Sequence, residues 1–193
     1  MKIVAATKNK GKLREFNHIL GPMGFEVVSM NDLGINVDVD ENGETFLENA
    51  VKKATEIMKI CGEITIADDS GLCVDSLNGA PGVYSARYSG EECDDLKNNL
   101  KLLKAMEGVK ERGAHFTCAI AVAFPDGRIK TAEGEFYGQI DYEMKGTGGF
   151  GYDVLFYLPE YKMTSAEIPA EEKNKISHRY KALKKIADEL REV

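Results

Sequence analysis

The sequence predicts an α/β fold: an elongated mixed sheet flanked by helices, in two lobes with a central cleft. Three observations predict it. The chain opens strand–helix–strand, with the apolar run Ile3 to Ala6, then Leu13, Phe16, Ile19 and Leu20 at helical spacing, then Phe25 to Ser29. Short apolar runs recur through the middle of the chain, and the longest, Phe116 to Phe124, leads into the hairpin signal Pro125-Asp126-Gly127. The last twenty-odd residues return to helical periodicity.

The elements follow in order. Asn9 to Gly11 turns the chain out of the first strand, and Gly21-Pro22 stops the first helix. Asn31 to Glu44 is polar, acidic and aperiodic, so it reads as a loop. Thr45-Phe46-Leu47-Glu48 has the pattern of a capping box, opening a helix to about Lys59 that Cys61-Gly62 closes. Ile64 to Ala67 reads as a buried strand ending at Asp68-Asp69-Ser70-Gly71, and Leu72 to Leu77 as a separate extended piece before the turn at Asn78-Gly79. Residues 91–106 form a helix with Leu96, Leu100 and Leu103 on a common side. Strands are predicted for Arg128 to Glu135, Phe136 to Asp141 and Val154 to Leu158, and one helix from Glu171 to Arg191.

With 193 residues, 43% of them hydrophobic, the chain can bury one sizeable core, so residues 1–193 are taken as a single domain. No apolar run approaches the roughly 18 residues needed to span a bilayer, and Met1 to Ala6 is too short for a secretory signal; a cytoplasmic protein with no membrane partner is expected. Cys61, Cys73, Cys93 and Cys118 lack Cys-x-x-Cys spacing and read as free thiols. The formal net charge of -7 argues against a stable grip on nucleic acid. An anionic ligand must therefore be met by a local basic cluster.

Five segments could carry chemistry. Thr7-Lys8-Asn9-Lys10-Gly11-Lys12 lies where a strand meets a helix, whose first N–H groups attract phosphate; it reads equally as a solvated basic turn capped by Asn9. It is not a Walker loop. Asp68-Asp69-Ser70-Gly71 ends a buried strand, where open α/β sheets place ligands. Neighbouring strand residues face opposite ways, so Asp69 is assigned to the cleft and Asp68 to its support. A bound Mg²⁺ would relieve the repulsion between the two acids and hold phosphate oxygens. In the acidic loop, Glu41 is a candidate second Mg²⁺ ligand, whereas Glu48 is better explained by the helix cap. Gly146-Thr147-Gly148-Gly149-Phe150-Gly151-Tyr152-Asp153 contains Gly-x-Gly-x-x-Gly, but a strand-like run follows it, so the dinucleotide fingerprint is rejected. A flexible loop offering its amides and the Phe150 and Tyr152 rings to a flat base is preferred to a plain connection with core aromatics. Lys173 with Ser177-His178-Arg179 could donate to phosphates or to a 6-oxo purine. His18 and His115 have no evident partner.

Taken in order, these segments resemble the inosine triphosphate pyrophosphatase family. The matching pieces are Thr7-x-Asn9-x-x-Lys12, Glu44-Thr45-Phe46-x-Glu48-Asn49-Ala50, Ala67-Asp68-Asp69-Ser70-Gly71-Leu72, Pro81-Gly82-Val83-Tyr84-Ser85-Ala86-Arg87-Tyr88, the 146–153 glycine run and Ser177-His178-Arg179. Lys8 stands where many members have glycine. The resemblance implies a homodimer that cleaves ITP, dITP and XTP between the α and β phosphates, with Mg²⁺ as cofactor. By position, Thr7, Lys8, Asn9, Lys10, Gly11, Lys12 and Lys173 would hold the triphosphate. Glu41 and Asp69 would bind Mg²⁺, Asp69 would act as general base, and Ser70 would touch substrate. Phe150, Gly151, Tyr152, Asp153, His178 and Arg179 would receive the base. A Maf-type pyrophosphatase is disfavoured, since that family opens with Ser-x-Ser-x-x-Arg. A non-catalytic nucleotide sensor would have no need of Asp69.

Overall fold

The computed structural model describes residues 1–191. Seven strands, β1 (Lys2–Ala5), β2 (Glu26–Ser29), β3 (Thr65–Val74), β4 (Gly113–Ala123), β5 (Ile129–Ile140), β6 (Phe156–Leu158) and β7 (Met163–Thr164), form one mixed sheet in the order β2-β1-β3-β4-β5-β6-β7. β1 runs parallel to β2 and β3, while β6 is antiparallel to β5 and β7. The helices are α1 (Lys10–Leu20), α2 (Phe46–Cys61), α3 (Asp95–Ala105), α4 (Ala170–Ile176) and α5 (His178–Arg191). The α/β class and the mixed sheet are as the sequence predicts.

The chain divides into two compact units. The first comprises 1–69, 118–134 and the C-terminal stretch from His178; the second comprises 70–117 and 135–177, so β3, β4 and β5 contribute to both.

In the first unit, strand alternation sorts side chains by size. Ile3, Ala5, Ile66, Cys118, Ile120, Val122 and Phe124 pack with Phe16 and Ile19 of α1 and with Leu183 and Ile186 of α5. The intervening residues, Val4, Ala6, Ala67, Ala119, Ala121 and Ala123, pack with Ala50, Ala54 and Ile57 of α2. Small residues on that face let α2 lie close to the sheet. α5 also comes very close to β5: a Cβ on Gly134 would lie 2.3 Å from the His178 carbonyl oxygen, so only glycine fits there.

The second unit has its own core of Leu72, Val74, Leu102, Met106, Phe116, Phe136, Ile140, Leu155, Phe156 and Leu158. Phe156 packs between Phe116 and Phe136, with ring centroids 4.6 and 5.4 Å away. Arg112, buried, donates to the carbonyls of Ile140, Met106, Val109 and Asp141 and closes this core.

Several sequence expectations need correction. Asp68 to Gly71 does not end a strand: the ten-residue β3 runs on through it to Val74. Polar side chains that look like turn punctuation are retained in the strand because helices on both faces supply partners for them. β5 is likewise one strand where two were expected, and β7 was not foreseen. The last helix is broken at Ser177, whose extended backbone separates α4 from α5. In α3, Leu96 and Leu100 are exposed, and Leu102 takes the core position. The capping box is present, with Thr45 Oγ1 accepting from the Glu48 amide at 3.1 Å and Glu48 Oε2 accepting from the Thr45 amide at 3.3 Å. All four cysteines are free thiols, as expected.

Candidate functional site

The two acids at the centre of β3 face opposite ways. Asp68, 1% exposed, points towards α1 and α5. Its Oδ2 accepts from Nε and Nη2 of Arg179, both at 3.0 Å, and its Oδ1 lies 3.1 Å from Lys12 Nζ. Arg179 reaches on to Glu15, and the Cys118 thiol lies 3.9 Å from Asp68 Oδ2. Burial alone would raise the Asp68 carboxyl, but Lys12, Arg179 and Lys53 together outweigh it and hold it well below the usual carboxylate range. Burial pushes the Cys118 thiol the other way, up to about 12.

Asp69 points towards α2. Its Oδ2 accepts from Asn49 Nδ2 at 2.9 Å, and its Oδ1 lies 3.9 Å from Lys53 Nζ. The same ammonium lies 3.1 Å from Glu41 Oε2. Asn49 and Lys53 stand one helical turn apart on α2 and so share a face. Asn49 also accepts from the Gly43 amide at 2.8 Å, and Lys52 holds Asn42 at 2.9 Å, which fixes the loop that carries Glu41. Burial pushes the Asp69 carboxyl above its ordinary range; Glu41 adds to this, while Lys53, Lys12 and the Asn49 hydrogen bond pull against it.

The 7–12 segment is a helix entry in which Asn9 is the cap. Its Oδ1 accepts from the amides of Gly11 at 2.8 Å and Lys12 at 3.1 Å, and Thr7 Oγ1 accepts from the Asn9 amide at 3.1 Å. Gly11 therefore lies inside the first turn of α1 and makes no tight turn of its own, while Lys10 opens the helix and is exposed. Lys8 ion-pairs with Asp38 at 2.5 Å.

In the second unit, the glycine-rich segment is tightly held where the sequence suggests a flexible loop. Asp153 Oδ2 accepts from the Phe150 amide at 2.9 Å and from Lys173 Nζ at 2.5 Å, and its Oδ1 accepts from Ser165 at 3.0 Å. A Cβ on Gly149, whose φ is +72°, would meet Asp153 Oδ2 at 2.1 Å, so neither the backbone conformation nor the space admits another residue. The Gly151 amide donates to Asp95 at 2.9 Å. Tyr152 is buried and donates its hydroxyl to the Ser85 carbonyl at 2.7 Å; burial raises its phenol. The Phe150 ring centroid lies 5.4 Å from Lys173 Nζ.

Of the residues singled out in the sequence, the structure thus brings Glu41 to Asp69 on one face of β3, and Lys12 and Arg179 to Asp68 on the other, all in the first unit. It gathers Phe150, Asp153 and Lys173 in the second. Ser70 follows Asp69 on β3, and His178 opens α5, 7% exposed. Arg179 is 2% exposed and is engaged by carboxylates; Tyr152 belongs to the core. Lys53 and Asn49 were not recognised in the sequence as parts of this site. The signal was present: both are polar residues within the apolar stripe of Ala50, Ala54 and Ile57.

Residues 3–189 match the Ham1 family. This chain belongs to the Ham1 family. Among its relatives, a protein of Desulforamulus reducens named dITP/XTP pyrophosphatase is 57% identical over 187 residues, covering 96% of this chain and 93% of that protein. One of the same name from Bacillus licheniformis is 53% identical over 96% of both chains. Among solved structures, the Ham1 protein of Staphylococcus aureus superposes with a TM-score of 0.90 at 40% identity, covering 100% of this chain and 99% of the other. That of Coxiella burnetii gives 0.91 at 38% identity, with both chains fully covered. The family membership and the fold inferred from the sequence motifs therefore stand.

Proposed function

We propose that this Ham1-family chain hydrolyses ITP, dITP and XTP to the nucleoside monophosphate and pyrophosphate, keeping these bases out of DNA and RNA. The observation that carries the reading is Asp69: a buried carboxyl, raised above its ordinary range, oriented by Asn49 and set beside Glu41 and Lys53. A carboxylate moved towards neutral pH is suited to general-base work. The names of the full-length relatives supply the substrate class.

The donor set suits Mg²⁺. Among the described residues no three His, Cys, Asp or Glu side chains gather to hold an ion. Mg²⁺ is commonly held by one or two carboxylates together with substrate phosphates, and Glu41 and Asp69, both within 3.9 Å of one ammonium, form such a pair. When bound there, the ion would neutralise charge building up on the polyphosphate. Asp69 orients a water and takes its proton as the water oxygen bonds to the α-phosphorus. The bond from that phosphorus to the α–β bridging oxygen breaks, and its electron pair leaves with pyrophosphate. Lys53 adds positive charge around the phosphates beside Asp69, while Lys12, with Thr7 to Gly11, belongs to the helix entry assigned to the triphosphate. Ser70 and Lys173 remain assigned to substrate.

Base recognition is assigned to the Phe150–Asp153 segment and to His178, whose imidazole can donate to a 6-oxo group; adenine presents a donor there and would leave that site unpaired. Arg179, held by Asp68 and Glu15, acts in this reading by fixing the start of α5 beside His178. The proposal includes a homodimer acting in the cytoplasm. No helix among the described residues is long and apolar enough to cross a membrane.

The test is product identification after incubation with Mg²⁺ and ITP or XTP, with ATP and GTP alongside. IMP and pyrophosphate are expected from ITP, and little turnover of ATP or GTP. Asp69→Asn is expected to lower kcat by about 10²–10⁴-fold while nucleotide still binds. IDP and orthophosphate would overturn the proposed cleavage. Nucleotide binding with no turnover by the unaltered chain would point to a sensor instead.

A further inference from the structure

Lys53 is in an unusual position. Its side chain is 11% exposed, it rises from the middle of α2, and its ammonium lies between two carboxylates belonging to different segments, Glu41 at 3.1 Å and Asp69 at 3.9 Å. Glu41 is about a third exposed and Asp69 nearly buried, so without a cation between them the pair would repel in a poorly solvated place. Lysine is a compact point charge on a flexible four-carbon stem, so its charge can leave that place without α2 moving. Lys12, the other nearby lysine, is tied to Asp68 on the opposite face of β3 and does not share this role.

We propose that Lys53 is the resident cation of the Glu41–Asp69 pair: its ammonium fills the place a divalent ion takes, ion and lysine compete for it, and the displaced lysine turns to the substrate's phosphates. This rests on the metal-dependent reading above and adds a coupling to it. A divalent ion arriving alone must displace Lys53 with no new partner for the ammonium, so it binds weakly. When a polyphosphate is present the ammonium has somewhere to go, so nucleotide strengthens ion binding and, reciprocally, the ion strengthens nucleotide binding. The two carboxylates then close on the ion only when there is a substrate to cleave.

The experiment is calorimetric titration of the whole protein with Mn²⁺ alone, comparing the unaltered chain with Lys53→Met and Lys53→Arg. Lys53→Met is expected to bind Mn²⁺ at least about ten-fold more tightly, because a like charge has been removed from the site. Lys53→Arg, which keeps the charge, should not gain. Repeating the titration with the α,β-imido analogue of ITP should strengthen Mn²⁺ binding clearly in the unaltered chain and much less in Lys53→Met. Should Lys53→Met be poorly folded without metal, its melting temperature in graded Mn²⁺ gives the same information, rising more steeply than that of the unaltered chain. Equal or weaker Mn²⁺ binding by Lys53→Met, or an equal coupling to the analogue in both, overturns the proposal. The titration with metal alone contains no nucleotide, so its outcome is separate from the substrate reading. A chain that leaves ITP intact while Lys53→Met gains metal affinity would refute the activity and keep the competition; IMP production with no gain would do the reverse.

Discussion

Replacing Asp68 by asparagine removes one charge and almost no volume at the centre of β3. In the native chain that carboxylate, 1% exposed, takes two hydrogen bonds from Arg179 at 3.0 Å and an ion pair from Lys12 at 3.1 Å. An asparagine amide keeps one acceptor oxygen but turns a donor NH₂ towards one of two cations, leaving Arg179 with Glu15 alone as its counter-charge. Removing one partner from a buried ion pair costs about 3–5 kcal/mol, and the deep burial here gives no reason to discount that for solvent screening. The assay is urea unfolding at pH 7 followed by circular dichroism, with the midpoint falling and the slope unchanged. The sign with pH follows from the lowered Asp68 carboxyl. A depressed carboxyl contributes stability above its unfolded value, about pH 4, and loses it as pH falls towards the folded value. The gap between native and variant should therefore be full at neutral pH and shrink on acidification below about pH 4. A loss under about 1 kcal/mol at pH 7 would refute the reasoning, since that is the range of exposed pairs.

Two further outcomes follow from the same geometry. Because burial raises the Asp69 carboxyl, its titration in the metal-free chain, followed by carboxyl-carbon NMR, should have its midpoint above the ordinary aspartate value of about 4; a midpoint at or below that value would remove the raised carboxyl on which its role as base rests. Gly149→Ala places a methyl on Asp153 at a φ of +72°, so it should cost more than about 1 kcal/mol in urea unfolding and weaken ITP turnover; an unchanged midpoint would show that the segment yields more easily than its hydrogen bonds imply.

The first half of the fold was readable because each unit of sequence carried its own local signal. The α1 stripe, the Gly21-Pro22 stop and the Thr45–Glu48 capping box are short-range chemistry, and the structure has all three where the sequence puts them. The misreadings share one cause. Asp68 to Gly71 has the composition of a turn, and only partners distant in sequence, Arg179 and Lys12 on one face and Asn49 and Lys53 on the other, keep it extended. Leu96 and Leu100 are apolar at helical spacing, yet the buried side of α3 is made by Asn98, Asn99 and Leu102, since Asn98 and Asn99 find carbonyl partners at Ala86 and Gly151. For the candidate site, ordered motifs pointed to Lys12 and Asp69, and the acidic loop to Glu41. Lys53 was missed because a lysine within a helix reads by default as solvated surface, and its two carboxylate partners lie in other segments. The break at Ser177 has no proline or glycine to announce it.

The alternation along β3 also makes this stretch sensitive to reading frame in a way that single substitutions do not reveal. Asp68 serves one face and Asp69 the other, and they are chemically identical side chains. Deleting or inserting one residue between Thr65 and Ala67 need not remove either acid. With the start of the strand held in register by β1, the shift would instead move the acids by one place, presenting an aspartate to the wrong helix while its neighbour's position received alanine or serine. Arg179 or Lys53 would then meet a side chain without charge. Spacing here is thus as much a part of the inheritance as residue identity: substitutions can be sampled one at a time, but a change of length moves one carboxylate into the other's place in a single step.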